Sequence, residues 1–412
     1  MNDLHPSRAL LAGYFRDELP SPRRRKISRH VTLCPVCQRR LSQLEWETET
    51  AAGAVDYESA FLRAAETVRS LKESIDEEAR RSVSLLPELL KESPERRLER
   101  IAGEPRFHAL KLCQLLQDRS RSDWFEEPAR GLESARLAVA IADHLDEGRY
   151  GSGLVAEERA RAWALLGNAW RITRHLHNAE QALNQAARHH LLTGDPLVES
   201  EVLGLTASLR CAQGRTEESI ALLDRAVAIS WEIGDRLREG RALALKGKAL
   251  GDTGRHQEAL RVLRKARLRV TPEIDPDLAV IVLHNILIYL VEVGRPLEAE
   301  QILQSERHRY LDPGHPRFVA RLLWLEALIA RSLGRLEEAI PLLWKAREVF
   351  YEQQIPLDWS LASLRLAEVL AGQGSRAEAR RLLEELIPAL DFMEVQPEAG
   401  AARMIYLWCR RS

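Results

Sequence analysis

Residues 214–263 read GRTEESIALLDRAVAISWEIGDRLREGRALALKGKALGDTGRHQEALRVL, and this stretch contains one full period of a pattern that recurs every 40 residues. Each period has a glycine, a glutamate four residues later, a small residue directly after it, and a leucine four residues further on. The members are Gly214, Gly254, Gly294, Gly334 and Gly374; Glu218, Glu258, Glu298, Glu338 and Glu378; Ser219, Ala259, Ala299, Ala339 and Ala379; and Leu223, Leu263, Leu303, Leu343 and Leu383. A fixed period of this length predicts a solenoid of helix pairs, because each unit buries its apolar face only against its neighbours.

The residues of one period have the chemistry of one helix ending and another beginning. Glycine adopts the left-handed conformation that closes a helix without a Cβ clash. The glutamate then falls in the first turn of the next helix, where a carboxylate interacts favourably with the helix dipole. The small residue allows two helices to approach closely, and the leucine lies on the same face and fills the core.

The first unit identifies a family that this repeat resembles. Its signature residues are Trp163, Leu166, Gly167, Trp170, Ala179, Leu183 and Ala186. They are similar to the tetratricopeptide pattern W-x2-L-G-x2-Y followed by A-x3-F-x2-A. The resemblance implies an all-α solenoid of helical hairpins, with a period about six residues longer than the 34-residue standard. An unrelated array of helical hairpins is the alternative.

The pattern predicts four segments in the chain. Residues 1–44 are a small metal-binding domain, 45–128 a helical docking region, 129–390 the repeat array, and 391–412 a capping helix. The array has six clear units from about residue 160, preceded by half a unit at residues 129–146. In the docking region, apolar residues recur every three or four positions from Phe61 to Leu86. This spacing favours core packing of one helix face; the alternative is that the face covers a partner helix.

A separate motif near the amino terminus predicts a zinc site. His30, Cys34 and Cys37 form H-x3-C-x2-C, and His5 lies 25 residues before His30. Imidazole and thiolate are the ligands of tetrahedral zinc, and four of them leave no open coordination position. A reduced cysteine pair without metal and a thiol–disulfide active site are the alternatives; the second is expected near a βαβ pattern, and no strands are evident here.

The setting of this motif resembles the zinc-binding anti-sigma domain. Residues 14–19, Tyr-Phe-Arg-Asp-Glu-Leu, stand where that family has Y-L-D-G-E-L, although the family has Asp-Gly where this chain has Arg16-Asp17. The resemblance implies a sigma factor as a partner. The segment is also basic, with nine Lys and Arg against three Asp and Glu in residues 1–44. A basic patch can contact a phosphate backbone, but a solvated helix face is the more common meaning of such a charge run.

Composition excludes several other classes. The chain has 412 residues, 45% apolar and 29% charged, with 60 basic and 61 acidic side chains and five cysteines. These values argue against disorder and against a disulfide scaffold. No apolar run reaches the roughly 20 residues of a membrane helix. No signal segment is evident at the amino terminus, so we expect a cytoplasmic protein. Enzyme motifs such as H-E-x-x-H and G-x-S-x-G are absent from the sequence, so we expect no catalysis.

If the repeat register is right, one face of each first helix lines a concave groove. The predicted groove residues are Arg161, Asn168, Arg171, Arg241, Lys248, His284, Arg321, Trp324 and Arg331. Over all predicted groove positions, six side chains are basic and two are acidic. This balance predicts an acidic peptide or protein partner with Trp324 as an apolar anchor; the alternative is that the charges only keep the surface soluble. The sequence thus favours a non-enzymatic interaction scaffold or adaptor, with a zinc-dependent anti-sigma factor and a nucleic-acid-binding regulator as alternatives.

Overall fold

The computed structural model describes residues 5–16, 18–51, 57–124, 127–311, 316–393 and 395–410. All regular secondary structure in these ranges is helical, which confirms the predicted all-α class. Contacts between Cα atoms divide the chain into two compact units, Met1–Arg81 and Ser82–Ser412. None of the helices in the described ranges is both long and apolar enough to span a membrane.

The first unit contains three short helices and most of a long one. The helices are α1 (Arg8–Phe15), α2 (Ser21–Leu33), α3 (Pro35–Ala51) and α4 (Tyr57–Leu90), the last of which continues into the second unit. Helix α1 begins where the Ser7 hydroxyl accepts a hydrogen bond from the Leu10 N–H, as Ser does at many helix starts. Among the described side chains, the buried apolar core of α1, α2 and α3 consists of Leu11, Ile27 and Cys37, which is very small for a folded unit.

The apolar face predicted along α4 is largely exposed. Phe61 keeps 72% of its surface accessible and Val83 keeps 63%, while Ile75 is also exposed. The side chains of Val68 and Leu71 lie outside the described part of the chain. The prediction that this face packs as core is therefore wrong for Phe61, Ile75 and Val83.

The second unit is a series of helical hairpins. After α5 (Pro94–Gly103) and a 3₁₀ turn (Pro105–Phe107), its helices are α6 (Leu110–Asp123), α7 (Pro128–Asp143), α8 (Glu147–Tyr150), α9 (Ser152–Ile172), α10 (Leu176–His190), α11 (Pro196–Ala212), α12 (Thr216–Glu232), α13 (Arg236–Asp252), α14 (His256–Arg267), α15 (Pro276–Glu292), α16 (Pro296–Glu306) with a 3₁₀ turn (Arg307–Tyr310), α17 (Pro316–Ser332), α18 (Leu336–Glu352), α19 (Pro356–Gly372), α20 (Arg376–Phe392) and α21 (Gln396–Arg410). From α9 to α20 the helices form six hairpins, each packed on the next. The predicted solenoid of helical hairpins is confirmed.

Three further helices extend the array at its ends. Helix α7 lies in the predicted half unit at residues 129–146, and α6 packs against it as the first helix of that hairpin, although α6 belongs to the predicted docking region. Helix α21 packs on α19 and α20. The four segment boundaries drawn from the sequence remain predictions.

The recurring residues do what the pattern requires of them. The five repeat glycines all have positive φ, between 75° and 92°, and each closes a first helix. The recurring leucines are buried in the hairpin interiors. One period upstream, Arg174 adopts φ 66° where the other units have glycine, a conformation that costs an L-residue roughly 1–2 kcal/mol. Its guanidinium donates a 2.7 Å hydrogen bond to the Met393 carbonyl at the end of α20.

Close packing of α13 against the first helix α15 and against its own partner helix α14 depends on glycines without a side chain. A Cβ on Gly251 would lie 1.9 Å from the Tyr289 ring carbon Cζ, and one on Gly247 would lie 2.4 Å from Leu263 Cγ. Helices α9, α11, α13, α15 and α17 each contact the next, so they form one continuous layer. Arg121 of α6 reaches Glu201 of α11 at 2.7 Å, past the intervening α9. The first-helix layer is therefore concave at this end.

Candidate metal site and concave groove

The four predicted metal ligands come together in the first unit. His5 precedes α1, His30 lies in the last turn of α2, Cys34 caps the end of α2, and Cys37 lies in the first turn of α3. The ligand atoms of all four lie within 4.8 Å of one another. Three separate helix ends thus converge on one point.

Four of the six distances between the ligand atoms are close to those of a tetrahedron around one ion. His5 Nδ1 lies 3.4 Å from His30 Nε2 and 3.4 Å from Cys34 Sγ. Cys37 Sγ lies 3.4 Å from His30 Nε2 and 3.6 Å from His5 Nδ1. Tetrahedral zinc with ordinary Zn–N and Zn–S bonds requires about 3.4 Å between two nitrogens and about 3.6 Å between nitrogen and sulfur. The cluster can hold a metal ion with little movement of its side chains.

Backbone groups favour the thiolate form of Cys34. The backbone N–H groups of Cys37 and Val36 hold the pKa of the Cys34 thiol below its ordinary value, whereas burial raises the pKa of the Cys37 thiol. N–H groups at a helix start stabilise a thiolate in this way, and thiolate is the form that binds metal. Two imidazoles and two thiols, with no fifth donor among the residues that the structure describes, form a closed site, which is the arrangement of a structural metal.

The predicted groove residues lie on the first-helix layer, in α9, α13, α15 and α17. Five of the six groove cations have an acidic partner within 4 Å. The pairs are Arg161 with Glu158, Arg241 with Asp275, Lys248 with Asp252, Arg321 with Asp358, and Arg331 with Glu368. These ion pairs neutralise most of the positive charge that the sequence placed in the groove.

Most of these acidic partners lie outside the repeat positions assigned to the groove, so the count of groove charges from the sequence left them out. Asp275 carries a detectable signal, since Asp before Pro marks a helix start. Its Oδ1 caps α15 by accepting from the Leu278 N–H at 3.0 Å, while Oδ2 accepts from Arg241 on the preceding first helix at 2.8 Å. One carboxylate thus serves both as a helix cap and as a contact between repeats.

Arg171 differs from the other groove cations. Within the described ranges it has no acidic side chain within 4 Å, and its Nε donates a 3.0 Å hydrogen bond to Asn168 Oδ1. Burial lowers the pKa of the Arg171 guanidinium, and the nearby Arg174 adds to this effect. Asn168 itself is only 2% exposed. The two residues lie one turn apart on α9.

A largely buried cluster of rings is formed by His284 of α15, Tyr310 of the 3₁₀ turn and Trp324 of α17. The His284 ring lies 6.1 Å from that of Tyr310 and 6.0 Å from that of Trp324, measured between centroids. His284 is 5% exposed, and burial lowers its pKa to about 3, with Arg321 contributing. Within the part of the chain that is described, His284 Nδ1, Tyr310 Oη and Trp324 Nε1 are buried without hydrogen-bond partners. Trp324 is half-buried.

Comparison with known proteins agrees with this architecture. A tetratricopeptide-repeat family model matches residues 199–267, which span most of α11 through α14. The chain is similar to the crystal structure of aspartyl phosphate phosphatase F from Bacillus subtilis, with a TM-score of 0.55, 9% identity, and 97% of each chain covered. It is also similar to NprR in complex with its cognate peptide NprX, with a TM-score of 0.54 and 16% identity over 72% of this chain and 83% of that one. No curated protein sequence matches the chain.

The fold is therefore an α-solenoid of tetratricopeptide-like hairpins. At these identities the two solved structures inform the fold alone.

Proposed function

We propose that this chain is a non-enzymatic regulatory adaptor whose concave first-helix layer binds an extended peptide or protein segment. The observation that carries the proposal is the continuous layer of first helices from α9 to α17, together with the Arg121–Glu201 ion pair that makes this layer concave at its α6 end. A solenoid of this kind offers a long concave binding surface. The similar NprR structure contains a bound peptide, which supports the same use of the groove here.

A groove-blocking substitution tests this proposal. A Cβ on Gly204 of α11 would meet no atom within 4 Å, so Gly204→Arg places a long side chain over the groove without a core clash. Ala221→Arg is the matched control, because Ala221 is an exposed position on the second helix of the same hairpin. Peptides selected from a random library by the full-length protein should bind the control and fail to bind Gly204→Arg. Equal binding to both variants would place recognition elsewhere.

We further propose that zinc occupies the cluster of His5, His30, Cys34 and Cys37 and holds the first unit together. Support comes from the tetrahedral spacing of the ligand atoms and from the small buried core of this unit. Structural zinc contributes roughly 10–16 kcal/mol of folding free energy in small finger peptides. A zinc–thiolate site is suited to a reducing compartment, and we propose that the protein acts in the cytoplasm.

A measurement of metal content tests directly whether zinc occupies the cluster. The purified chain should contain one zinc per molecule by mass spectrometry of the metal, and Cys37→Ser should lose it. Cys211→Ser is the matched control, since Cys211 is a free cysteine outside the cluster. A Cys37→Ser protein that keeps its full zinc content would refute the assignment.

A second candidate function is that of a zinc-dependent anti-sigma factor. It is favoured by the geometry of the H-x3-C-x2-C motif with His5 as fourth ligand, the arrangement that the resemblance implies. Co-purification of a sigma factor with the full-length chain, lost on Cys37→Ser but kept by Gly204→Arg, would establish this function. Retention of that sigma factor by Cys37→Ser would count against the head as its binding module.

A further inference from the structure

The uneven pairing of groove cations marks one position as different. Arg331 occupies the same repeat position as Arg171, four periods later, and its guanidinium lies 3.3 Å from the Glu368 carboxylate. Arg171 has only the neutral Asn168 oxygen as a hydrogen-bond partner among the residues described. A half-buried cation without a counter-charge is costly, so an anion supplied from outside would be bound more strongly at Arg171 than at the paired cations.

The environment of Arg171 is suited to receiving a ligand. Asn168 fixes one edge of the guanidinium through Nε, which leaves the terminal nitrogens free for a bidentate carboxylate. Cys211 of α11 lies close enough to Arg171 to interact electrostatically with it. Gly204 lies two turns before Cys211 on the same helix face, and the space beside it is open. Arg171 itself is half-buried, so part of its side chain is accessible from the groove.

The groove changes from polar to apolar along the array. The half-buried groove positions of α15 are Ile281, Ile288 and Val291. One period earlier, on α13, the positions equivalent to Ile281 and Ile288 hold the exposed residues Arg241 and Lys248. Trp324 follows on α17. This apolar surface, defined as Ile281, Ile288, Val291 and Trp324, fits a large apolar side chain.

The distance between the two subsites sets the spacing of the groups they bind. Three steps from one first helix to the next separate α9 from α15. Packed helices lie 8–10 Å apart, so the subsites are roughly 24–30 Å apart. An extended chain rises about 3.3 Å per residue, so this span corresponds to roughly seven to nine residues.

We propose that the groove ligand is an extended peptide that places an acidic group on Arg171 and an apolar side chain on the apolar surface of α15 and α17, roughly seven to nine residues apart. The inference rests on the proposed function and specifies the chemistry of its ligand. The five paired cations do not select for acid, because their charge is already neutralised within the groove.

Synthetic peptides test the chemistry and the spacing together. The probes are fluorescein-labelled peptides with one Asp and one Leu separated by four, eight or twelve residues of Ser and Thr, and binding to the full-length protein is measured by fluorescence polarisation. The eight-residue spacing should bind tightest, and replacing its Asp by Asn should weaken binding roughly tenfold or more, as expected for loss of a charge-assisted hydrogen bond. Arg171→Gln should abolish the preference for Asp over Asn, whereas Arg331→Gln, at the same repeat position, should keep it.

A charge reversal provides an independent check. Arg171→Glu should bind the peptide with Lys in place of Asp better than the original peptide. Equal affinity of the wild-type protein for the Asp and Asn peptides would overturn the inference, and this measurement does not depend on the folding of any variant. If the random library yields peptides without an acidic residue, the inference fails and the proposed function stands. If the library yields no binding peptide, the proposed function fails.

Discussion

Burial of His284 makes the stability of the array dependent on pH. The imidazole is 5% exposed on α15 beside Tyr310 and Trp324, and its pKa in the folded protein is lowered to about 3. An unfolded histidine titrates near pH 6.5. Between these two values the unfolded chain carries a proton on this ring that the folded chain does not.

The sign of the effect follows from this difference in bound protons. Because the unfolded state binds more protons, the free energy of unfolding rises with pH through this range. The contribution of the neutral ring is complete above about pH 6.5 and is lost progressively as pH falls toward 3. At pH 5 the unfolded ring lies 1.5 pH units below its pKa, so the loss is about 2 kcal/mol.

The substitution His284→Phe removes the titration while keeping a ring of similar size. Urea unfolding followed by circular dichroism at pH 7.5 and pH 5.0 should show that the wild-type protein loses about 2 kcal/mol more than the variant between the two pH values. Taking the difference between the two proteins cancels the contributions of all other titrating groups to the free energy of unfolding. Hydrogen exchange of the α15 amides locates the effect. Equal losses in the two proteins would show that His284 is protonated in the folded state, and the reasoning from burial would be wrong.

Three other predictions follow from single sites. Gly251→Ala should destabilise the array by roughly 1–3 kcal/mol, because its Cβ would overlap the Tyr289 ring. Gly204→Ala lies in open space and should stabilise the array by up to about 1 kcal/mol. Urea unfolding should show these opposite signs, and equal effects of the two substitutions would contradict the packing. Hydrogen bonds from Arg100, and to a lesser extent from Arg106, hold the pKa of Glu104 at about 2. The contribution of Glu104 to stability is therefore present above the ordinary Glu pKa and is lost as pH falls toward 2. Carbon NMR of the carboxyl group should show this low midpoint, and Arg100→Ala should raise it. Burial raises the pKa of the Cys113 thiol well above its usual range. Iodoacetamide at pH 8 should therefore leave this thiol unmodified until the protein unfolds, which peptide mass spectrometry measures. Rapid labelling in the native protein would contradict the burial of Cys113.

The repeat architecture could be predicted from the sequence because it depends on local rules. Gly254 ends α13 because glycine readily adopts the left-handed conformation. Leu263 lies one helical turn from Ala259 on the same helix face. The same rules located α7 but missed α6 as its partner, since the first hairpin lacks the glycine and leucine spacing of the later ones. The apolar spacing along α4 predicted a buried face, yet Phe61 is exposed; periodicity shows which residues share a helix face but not whether another element covers it.

The metal cluster was predictable because ligand type and spacing restrict it. His30, Cys34 and Cys37 fall on one short helix–turn–helix segment, so their proximity is nearly a local property. The position of His5 depends on how α1 packs against α2 and α3, and the structure places its Nδ1 3.4 Å from both Cys34 Sγ and His30 Nε2.

The amino-acid sequence by itself determined the period, the ends of the helices and the residues that share each helix face, because these depend on contacts within a few turns of chain. The pairs Arg161–Glu158 and Lys248–Asp252 are local to one helix, but only the tertiary structure decided the pairing of Arg241 and Arg331, because their acceptors Asp275 and Glu368 lie 34 and 37 residues away. Whether such side chains meet depends on the packing angle between neighbouring helices, and that angle is set by the fit of whole helix surfaces. For this reason Arg171 looks like any other groove cation in the sequence and stands apart only in the folded array.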